Sequence, residues 1–338
     1  MNDISLDIKR RWDSIAKPLD SLGRFEKIVS ILGVVQGTVT PSVEKSALLV
    51  LCADNGIVEE GVSQAPQSVT RTCAENIAAG KSAAGIMALQ TGTDVIAVDI
   101  GMACDGSVPG VLDRKIRKGT RNFLKEPAMT AEELEKAVSV GMELAADCKK
   151  KGYDVICIGE MGIGNTTTSA AVAASLLGMT AQSVVGRGAG LSDEGLFRKR
   201  SVVERGIDLY GLYDAPARDV LRTVGGYDIA GMVGVYEGAR RCGIPVILDG
   251  AISIVAALAA ERIFPGVKQA LVPSHKSREP LCVLASKALG VEPVIDADMA
   301  LGEGTGALLM LGMIKTAVAV YNKALRFSES GVEQYKRF

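Results

Sequence analysis

Short runs of Val, Ile and Leu, each stopping on Asp, Glu, Gly or Ser, set the terms on which this chain can fold. They are "SALLVLCADNG" from residue 46, "DVIAVDIG" from 94, "DVICIGE" from 154, "IPVILDG" from 244 and "QALVP" from 269, with a weaker "EPVID" from 292. A run that is apolar throughout, instead of alternating, belongs to a strand covered on both faces. Longer segments of helical spacing lie between the runs. The clearest, "TAEELEKAVSVGMELAADCKKKG", opens on a capping box of Thr130 and Glu133, places apolar residues at 134, 137, 138, 140, 144 and 145, and ends at Gly152 after a lysine-rich turn. Strands alternating with helices predict an α/β fold with a doubly wound parallel sheet.

Both ends of the chain differ from this pattern. "IAKPLDSLGRFEKIVSILGVVQ" has helical spacing at Leu19, Leu22, Phe25, Ile28, Val29 and Leu32 but precedes any strand, and "ALLMLGMIKTAVAVYNKALRFSESGVEQYKRF" is helical after the last one. The two ends are expected to pack together, 1–44 and 311–338 as a small helical subdomain beside an α/β domain over 45–310. No repeat, low-complexity tract or Pro/Ser linker marks a cut between independent units.

Of the 338 residues 48% are hydrophobic, and 38 Lys and Arg against 39 Asp and Glu leave a net charge of −1 without any basic cluster. That balance argues against partners recognised by phosphate neutralisation, whether nucleic acid or an anionic membrane surface, and points to a small-molecule partner. The N-terminal "MNDISLDIKRRWDSIAKPLD" carries charges throughout and lacks a signal-type apolar core, and no segment offers eighteen uninterrupted apolar residues, so a cytoplasmic protein is expected. Seven cysteines lie at 52, 73, 104, 148, 157, 242 and 282 without a C-x-x-C pair, and read as small buried hydrophobes in a reducing compartment. With His275 as the single histidine, a zinc or other transition-metal site is not expected, and no cofactor is.

The ends of the runs collect the polar residues: Asp54, Asn55 and Gly56, then Asp99 and Gly101, Glu160 to Thr168, Asp249 and Gly250, and Ser274 to Ser277. Ligands of open α/β sheets bind outside the carboxyl ends of the strands, so these loops should converge on one site. In "DVICIGEMGIGNTTTSAAV", Gly162 and Gly164 allow close backbone approach, a helix follows, and the hydroxyls of Thr166 and Thr167 add donors. Such a loop suits a phosphate. The other reading is a structural turn capped by Asn165 and the threonines. The segment lacks the Lys-Ser/Thr end of a nucleotide-triphosphate loop.

"GRGAGLSDEGLFRKRSVVERG" from 186 is a second glycine loop entering a helix, with Arg187, Arg198 and Lys199 either meeting the same anion or forming a solvated basic face. "LGEGTGALLMLGMI" from 301 places Glu303 between two glycines at the mouth of an apolar helix, as a helix cap or as a catalytic carboxylate. Gly302, Gly304 and Ala307 match a dinucleotide fingerprint by spacing, but no later strand exists to carry the acidic ribose-binding residue, so a nicotinamide-dependent oxidoreductase is not the favoured reading.

"DSLGRFE", "ADNGIVEEGVS", "GEMGIGNTTTSAA", "GRGAG", "GGYDIAG", "LDGAIS", "SHKSREP" and "LGEGTGA" follow one another here. In order and spacing the chain resembles the nicotinate-nucleotide–dimethylbenzimidazole phosphoribosyltransferase family over roughly residues 5 to 325. The resemblance implies a Rossmann-like sheet with a small helical domain from both ends, and a homodimer. It implies transfer of phosphoribose from nicotinate mononucleotide to an aromatic base that becomes the lower ligand of a cobamide. It also implies Glu303 as general base, Glu160 at the edge of the site, and Lys199 with Gly188, Gly162, Gly164, Asn165, Thr166 and Thr167 about the phosphate. Asp249, Ser274 and Ser277 are expected to orient the ribose.

The expected acceptor pocket comprises Asp54, Asn55, Ser63, Thr72, Met161 and Leu301. Here the chain departs from the family: "ADNG" stands where "ADHG" is usual, Thr72 where glutamine is common, and Leu281 and Cys282 where glycine and histidine are usual. The acceptor is therefore left open among 5,6-dimethylbenzimidazole, another benzimidazole, a purine, and a phenol such as p-cresol used by one member of a pair of related subunits. A non-catalytic partner subunit is the remaining alternative, and the retained Glu303 and Glu160 argue against it. His275 is expected to be a hydrogen-bonded structural residue of its loop.

Overall fold

Strand β1 (Ser46–Ala53) is buried along its whole length, and its side chains divide between two apolar layers. Ala47, Leu49, Leu51 and Ala53 face one layer while Leu48, Val50 and Cys52 face the other. This is what a run without polar alternation requires. The computed structural model describes residues 3–337, and residues 1, 2 and 338, outermost in the expected terminal subdomain, lie outside the described residues.

Around β1 stand β2 (Thr93–Gly101), β3 (Leu112–Asp113), β4 (Val155–Met161), β5 (Val246–Ile247) and β6 (Leu271–Val272). The sheet order is β3-β2-β1-β4-β5-β6 with every pairing parallel, a Rossmann-like doubly wound arrangement whose order reverses between β1 and β4. Helices α1 (Asp3–Ser14) and α2 (Arg24–Gln36) precede β1, and α3 (Ser68–Ala78) and α4 (Ala83–Thr91) lead to β2. Then come α5 (Ala131–Lys150), α6 (Asn165–Leu177), α7 (Ala181–Val184), α8 (Asp193–Tyr210), α9 (Ala217–Val224), α10 (Tyr227–Cys242), α11 (Ala251–Ile263), α12 (Pro280–Leu289), α13 (Thr305–Lys323) and α14 (Phe327–Ser330). Residues of α5, α6 and α8 to α12 form the core of one face, and residues of α1 to α4 and α13 that of the other.

Both bonds of the Thr130–Glu133 capping box at the start of α5 are made, at 3.1 and 2.8 Å. The "EPVID" segment forms no strand; Ile295 makes only a single parallel bridge to His275. The two-residue β3, at an exposed edge, has no run of its own and was not visible in the sequence.

The chain ends do meet. Helix α2 packs on α1 and α13, Trp12 lies against Tyr321 with ring centroids 4.7 Å apart, and Ile15 bridges Arg326. Their apolar residues continue into the layer beneath β1, and the expected boundary at 310/311 falls inside α13. By length and composition α13 could cross a membrane, but over half of it is buried in the protein, as a core helix.

Candidate active site

Outside the carboxyl ends of the strands lies a cavity of about 370 Å³, at the reversal of strand order where open α/β sheets bind ligands. Strands β4, β5 and β6 bring their end loops to it directly, while β1 contributes through residues further on, Val62 to Ala65, Val69 and Cys73. The loop after β2 is the exception to the expected convergence. Asp99 turns to Lys115 at 3.1 Å and to the N–H groups of Gly101 and Met102, and it does not line the cavity.

In the β4 loop, Glu160, Met161, Gly162, Gly164, Asn165 and Thr166 all line the cavity. A side chain at Gly162 would strike the carbonyl of Ala53, and Gly164 has φ 94°, so both positions need glycine to set α6 against the end of β1. The amide of Asn165 donates to Glu160 and, at 3.1 Å, to Asp228 at the start of α10. Backbone N–H groups of Asn165 and Thr167 are spent on Gly162 and Gly164. Thr167 lies buried beneath the cavity, its hydroxyl without a partner, and does not line it.

Lys199 reaches this loop from α8. Its Nζ donates to Thr166 Oγ1 at 2.8 Å, and burial pushes the ammonium down to about 8, opposed by the charge of Glu279. The guanidinium of Arg187 is taken by Leu191 O and Asp193, and that of Arg198 by Gly61 O and Glu194, which leaves Lys199 as the cation of the α6 N-terminus. Gly188 (φ 55°) lines the cavity beside Thr166.

Asp249, in the loop after β5, accepts from the N–H of Gly304 at 3.1 Å and of Gly306 at 2.8 Å. Just before these bonds sits Glu303 with φ 59°, flanked by Gly302 at 86° and Gly304 at 88°. Left-handed backbone at a glutamate costs of order 1–3 kcal/mol and persists only where neighbours impose it. Asp249 and the close approach of Gly159 to the Glu303 backbone impose it here. The Glu303 carboxyl lines the cavity with Oε2 unpartnered. Burial pushes its pKa up, opposed by the Ser82 hydroxyl and the N–H of Ala84 and reinforced by Asp249.

Three further carboxylates lie close by. Burial pushes Glu160 up to about 8, with the charges of Asp228 and Asp249 adding to it. Asp228 is pushed up to about 6, burial outweighing the bond from Asn165, and burial raises Asp249 as well. His275, at the cavity wall, sits with Nδ1 3.2 Å from Ser274 Oγ and 3.8 Å from Asp249, and burial pushes it down toward the neutral form. Ser277 lines the cavity, whereas Ser274 is buried behind it on the carbonyl of Asp249.

The residues expected around the acceptor divide. Ser63, Met161 and Leu301 line the cavity. Asp54 does not: its carboxylate accepts from Thr70 at 2.6 Å and Ala103 N–H at 2.8 Å, which ties β1 to α3 and to the loop after β2. Asn55 is fully buried under the β4 loop, bonded to Ile163 O, and Thr72 is exposed on α3 with its hydroxyl on Ser68 O. The face that α3 turns to the cavity carries Val69 and Cys73, one turn apart. Glu279 and Asp228, inside the quoted "SHKSREP" and "GGYDIAG", also went unassigned in the sequence. Nothing in a linear pattern says that Asp228 meets the β4 loop or that Glu279 reaches Gly188.

Fold and cavity together define a Rossmann-like α/β protein with a ligand cavity at the carboxyl ends of its strands. A family model described as phosphoribosyltransferase matches residues 2–332. The chain is 46% identical over 329 residues to the nicotinate-nucleotide–dimethylbenzimidazole phosphoribosyltransferase of Acetivibrio thermocellus, covering 97% of this chain and 94% of that one. It is 43% identical over 328 residues to the protein of the same name from Ruminiclostridium cellulolyticum, covering 97% and 93%. The crystal structure of CobT from Thermus thermophilus superposes with a TM-score of 0.93 at 38% identity, covering 98% of this chain and 100% of that one. The chain belongs to the nicotinate-nucleotide–dimethylbenzimidazole phosphoribosyltransferase family.

Proposed function

We propose that this chain transfers the phosphoribosyl group of nicotinate mononucleotide to an aromatic base of the benzimidazole class, releasing nicotinate and an α-riboside 5′-phosphate for the nucleotide loop of a cobamide. The observation that carries the reading is Glu303, a cavity-lining carboxylate held in left-handed backbone whose buried Oε2 has no hydrogen-bond partner.

The donor's ring is a pyridinium, so the pair of the breaking C1′–N bond neutralises the leaving nitrogen and no acid is required. A ring nitrogen of the acceptor bonds to C1′ from the opposite face, inverting β to α, and the acceptor's N–H proton passes to Glu303. Burial raises Glu303 toward the range where a base works near neutral pH. Of the carboxylates nearby, Asp228, raised only to about 6, keeps the negative charge that favours the pyridinium and the developing oxocarbenium, whereas Glu160 at about 8 is largely neutral. Thr166 and Lys199 at the α6 N-terminus hold the phosphate. Val69, Cys73, Met161 and Leu301 form the apolar wall for the acceptor.

The same reading makes the enzyme a cytoplasmic homodimer. Ile86 and Leu89 of α4 and Leu309 and Met313 of α13, on packed neighbouring helices, expose apolar surface that a second copy would cover.

Incubation with nicotinate mononucleotide and, in turn, 5,6-dimethylbenzimidazole, benzimidazole, adenine and p-cresol, read by mass spectrometry, tests the reading. Riboside phosphates of the benzimidazoles with stoichiometric nicotinate are expected. Release of nicotinate with no acceptor overturns it, and transfer to p-cresol alone replaces the benzimidazole with a phenol.

A further inference from the structure

Where the two ends of the chain meet there is a second cleft, of about 600 Å³, which shares no residue with the reaction cavity. Arg10 and Arg11 of α1 line it together with Arg326, just beyond α13. Arg11 and Arg326 stand 315 positions apart, so the sequence shows no basic cluster and only folding creates one.

Arg10 has a carboxylate, Asp7, at 3.1 Å. The other two arginines do not. Arg326 donates to the carbonyls of Arg11 and Tyr321, each at 3.2 Å, and to Ser14 Oγ at 3.4 Å, all neutral acceptors. Arg11 lies over the Tyr321 ring, 5.1 Å from its centroid. Its Nε is closed off without a partner, and no acceptor among the described residues takes its outer N–H groups. Asp13 is spent on Arg337 at 2.7 Å, and Glu329 accepts from the backbone N–H of Arg326 at 3.1 Å. Burial and the charge of Arg11 pull the pKa of Arg326 down, with Glu329 opposing them.

Two partly buried guanidiniums side by side, without a carboxylate on either, carry a cost that a bound anion offsets. Three arginines against one aspartate leave two positive charges on the lining, and Ser14, Ser328 and Gln334 add neutral donors. Guanidiniums present flat forks of N–H groups that match the edges of a tetrahedral oxyanion. We propose that Arg11 and Arg326 form a second oxyanion site, for phosphate or a phosphomonoester, which bridges α1 to the end of α13 and braces the terminal helices. The outer N–H groups of Arg11 and the donors of Arg326 not used within the protein take the oxyanion. The site stands apart from the reaction proposed above.

Hydrogen exchange of the full chain, read by mass spectrometry on peptides of α1 and of residues 321–330, tests it with inorganic phosphate against chloride at equal ionic strength. Phosphate is expected to slow exchange in these peptides. Half-maximal protection in Arg11→Gln should need about tenfold to a hundredfold more phosphate, the worth of a charged hydrogen bond. Arg326→Lys, which keeps the charge and loses the fork, should fall between, and Asp7→Asn, which removes the acid from the lining, should need less phosphate than wild type. Peptides around Lys199 report the reaction cavity separately. Nicotinate mononucleotide as a second probe identifies the source: protection of the terminal peptides at lower concentration than phosphate assigns a phosphomonoester, and protection by phosphate alone assigns the free ion. Absence of protection in wild type, equal protection by chloride, or an unchanged phosphate requirement in both arginine variants overturns the proposal.

Discussion

The carboxylate of Asp249 accepts a hydrogen bond from the backbone N–H of Gly306 at 2.8 Å while its second oxygen holds Gly304, so the β5 loop grips the chain just past Glu303. The N-terminus of α13 is thereby capped from another strand, and the glutamate before it is pinned in left-handed backbone. Asp249 is a positioning residue as well as a charge, since it also raises Glu303.

Asp249→Asn keeps an oxygen for one N–H group and removes the charge. We expect kcat to fall by about a hundredfold through misplacement of Glu303, with a smaller change in donor KM. The acid limb of the pH profile should move to lower pH, because the group that helped raise Glu303 is gone. A stationary acid limb counts against this coupling.

Glu303→Gln should lower kcat by about 10²- to 10⁴-fold with donor affinity retained in calorimetry. In wild type the base works only when deprotonated, so kcat/KM rises with pH through a value above that of an ordinary glutamate. Unchanged turnover in the variant removes Glu303 from the chemistry.

Lys199→Met should weaken donor binding by about tenfold to a hundredfold and change kcat less. Because burial holds the ammonium at about 8, wild-type donor affinity should fall as pH rises through that value, and the variant should lose this limb. Calorimetry between pH 7 and pH 9 reads both.

Cys73→Phe narrows the apolar wall, and overpacking of this kind costs about tenfold to a hundredfold in kcat/KM for the base while donor affinity holds. Thr72→Gln, one residue away on the outer face of α3, should change neither. Steady-state kinetics with varied 5,6-dimethylbenzimidazole distinguish the two positions.

Glu160 ties the site to stability. Its folded pKa of about 8 lies above the 4.5 of an ordinary glutamate, so its contribution is complete below about 4.5 and is lost as pH rises to about 8, where the folded form ionises too. The ligand-free protein should melt at lower temperature at pH 8 than at pH 6. Glu160→Gln should flatten that upper part of the slope, leaving below it the part due to Asp228, raised to about 6. An equal slope in both proteins overturns the assignment.

Much of the site was legible because glycine and charge at strand ends carry local constraints. Gly162 and Gly164 lie where a loop needs close approach or positive φ, and Glu303 stands between two left-handed glycines. What was not legible is orientation. Thr72 and Cys73 are adjacent in sequence, and only the packing of α3 on the sheet decides that Cys73 faces the cavity and Thr72 the solvent. Asp54 and Asn55 follow the first run where a ligand-binding pair is expected, but the loops folded over them turn both into internal ties.

By itself the sequence determined the alternation of strands and helices, the burial of the sheet on both faces and the loops that carry chemistry, because periodicity, capping and glycine conformation act over a few residues. Tertiary structure alone decided that Asn165 joins Glu160 to Asp228, that Asp249 is spent on the Glu303 loop, and that Glu279 reaches Gly188. Those contacts link residues up to 91 positions apart. Their energies depend on burial and on which donors remain unpaired, quantities that exist only once the layers have closed around the sheet.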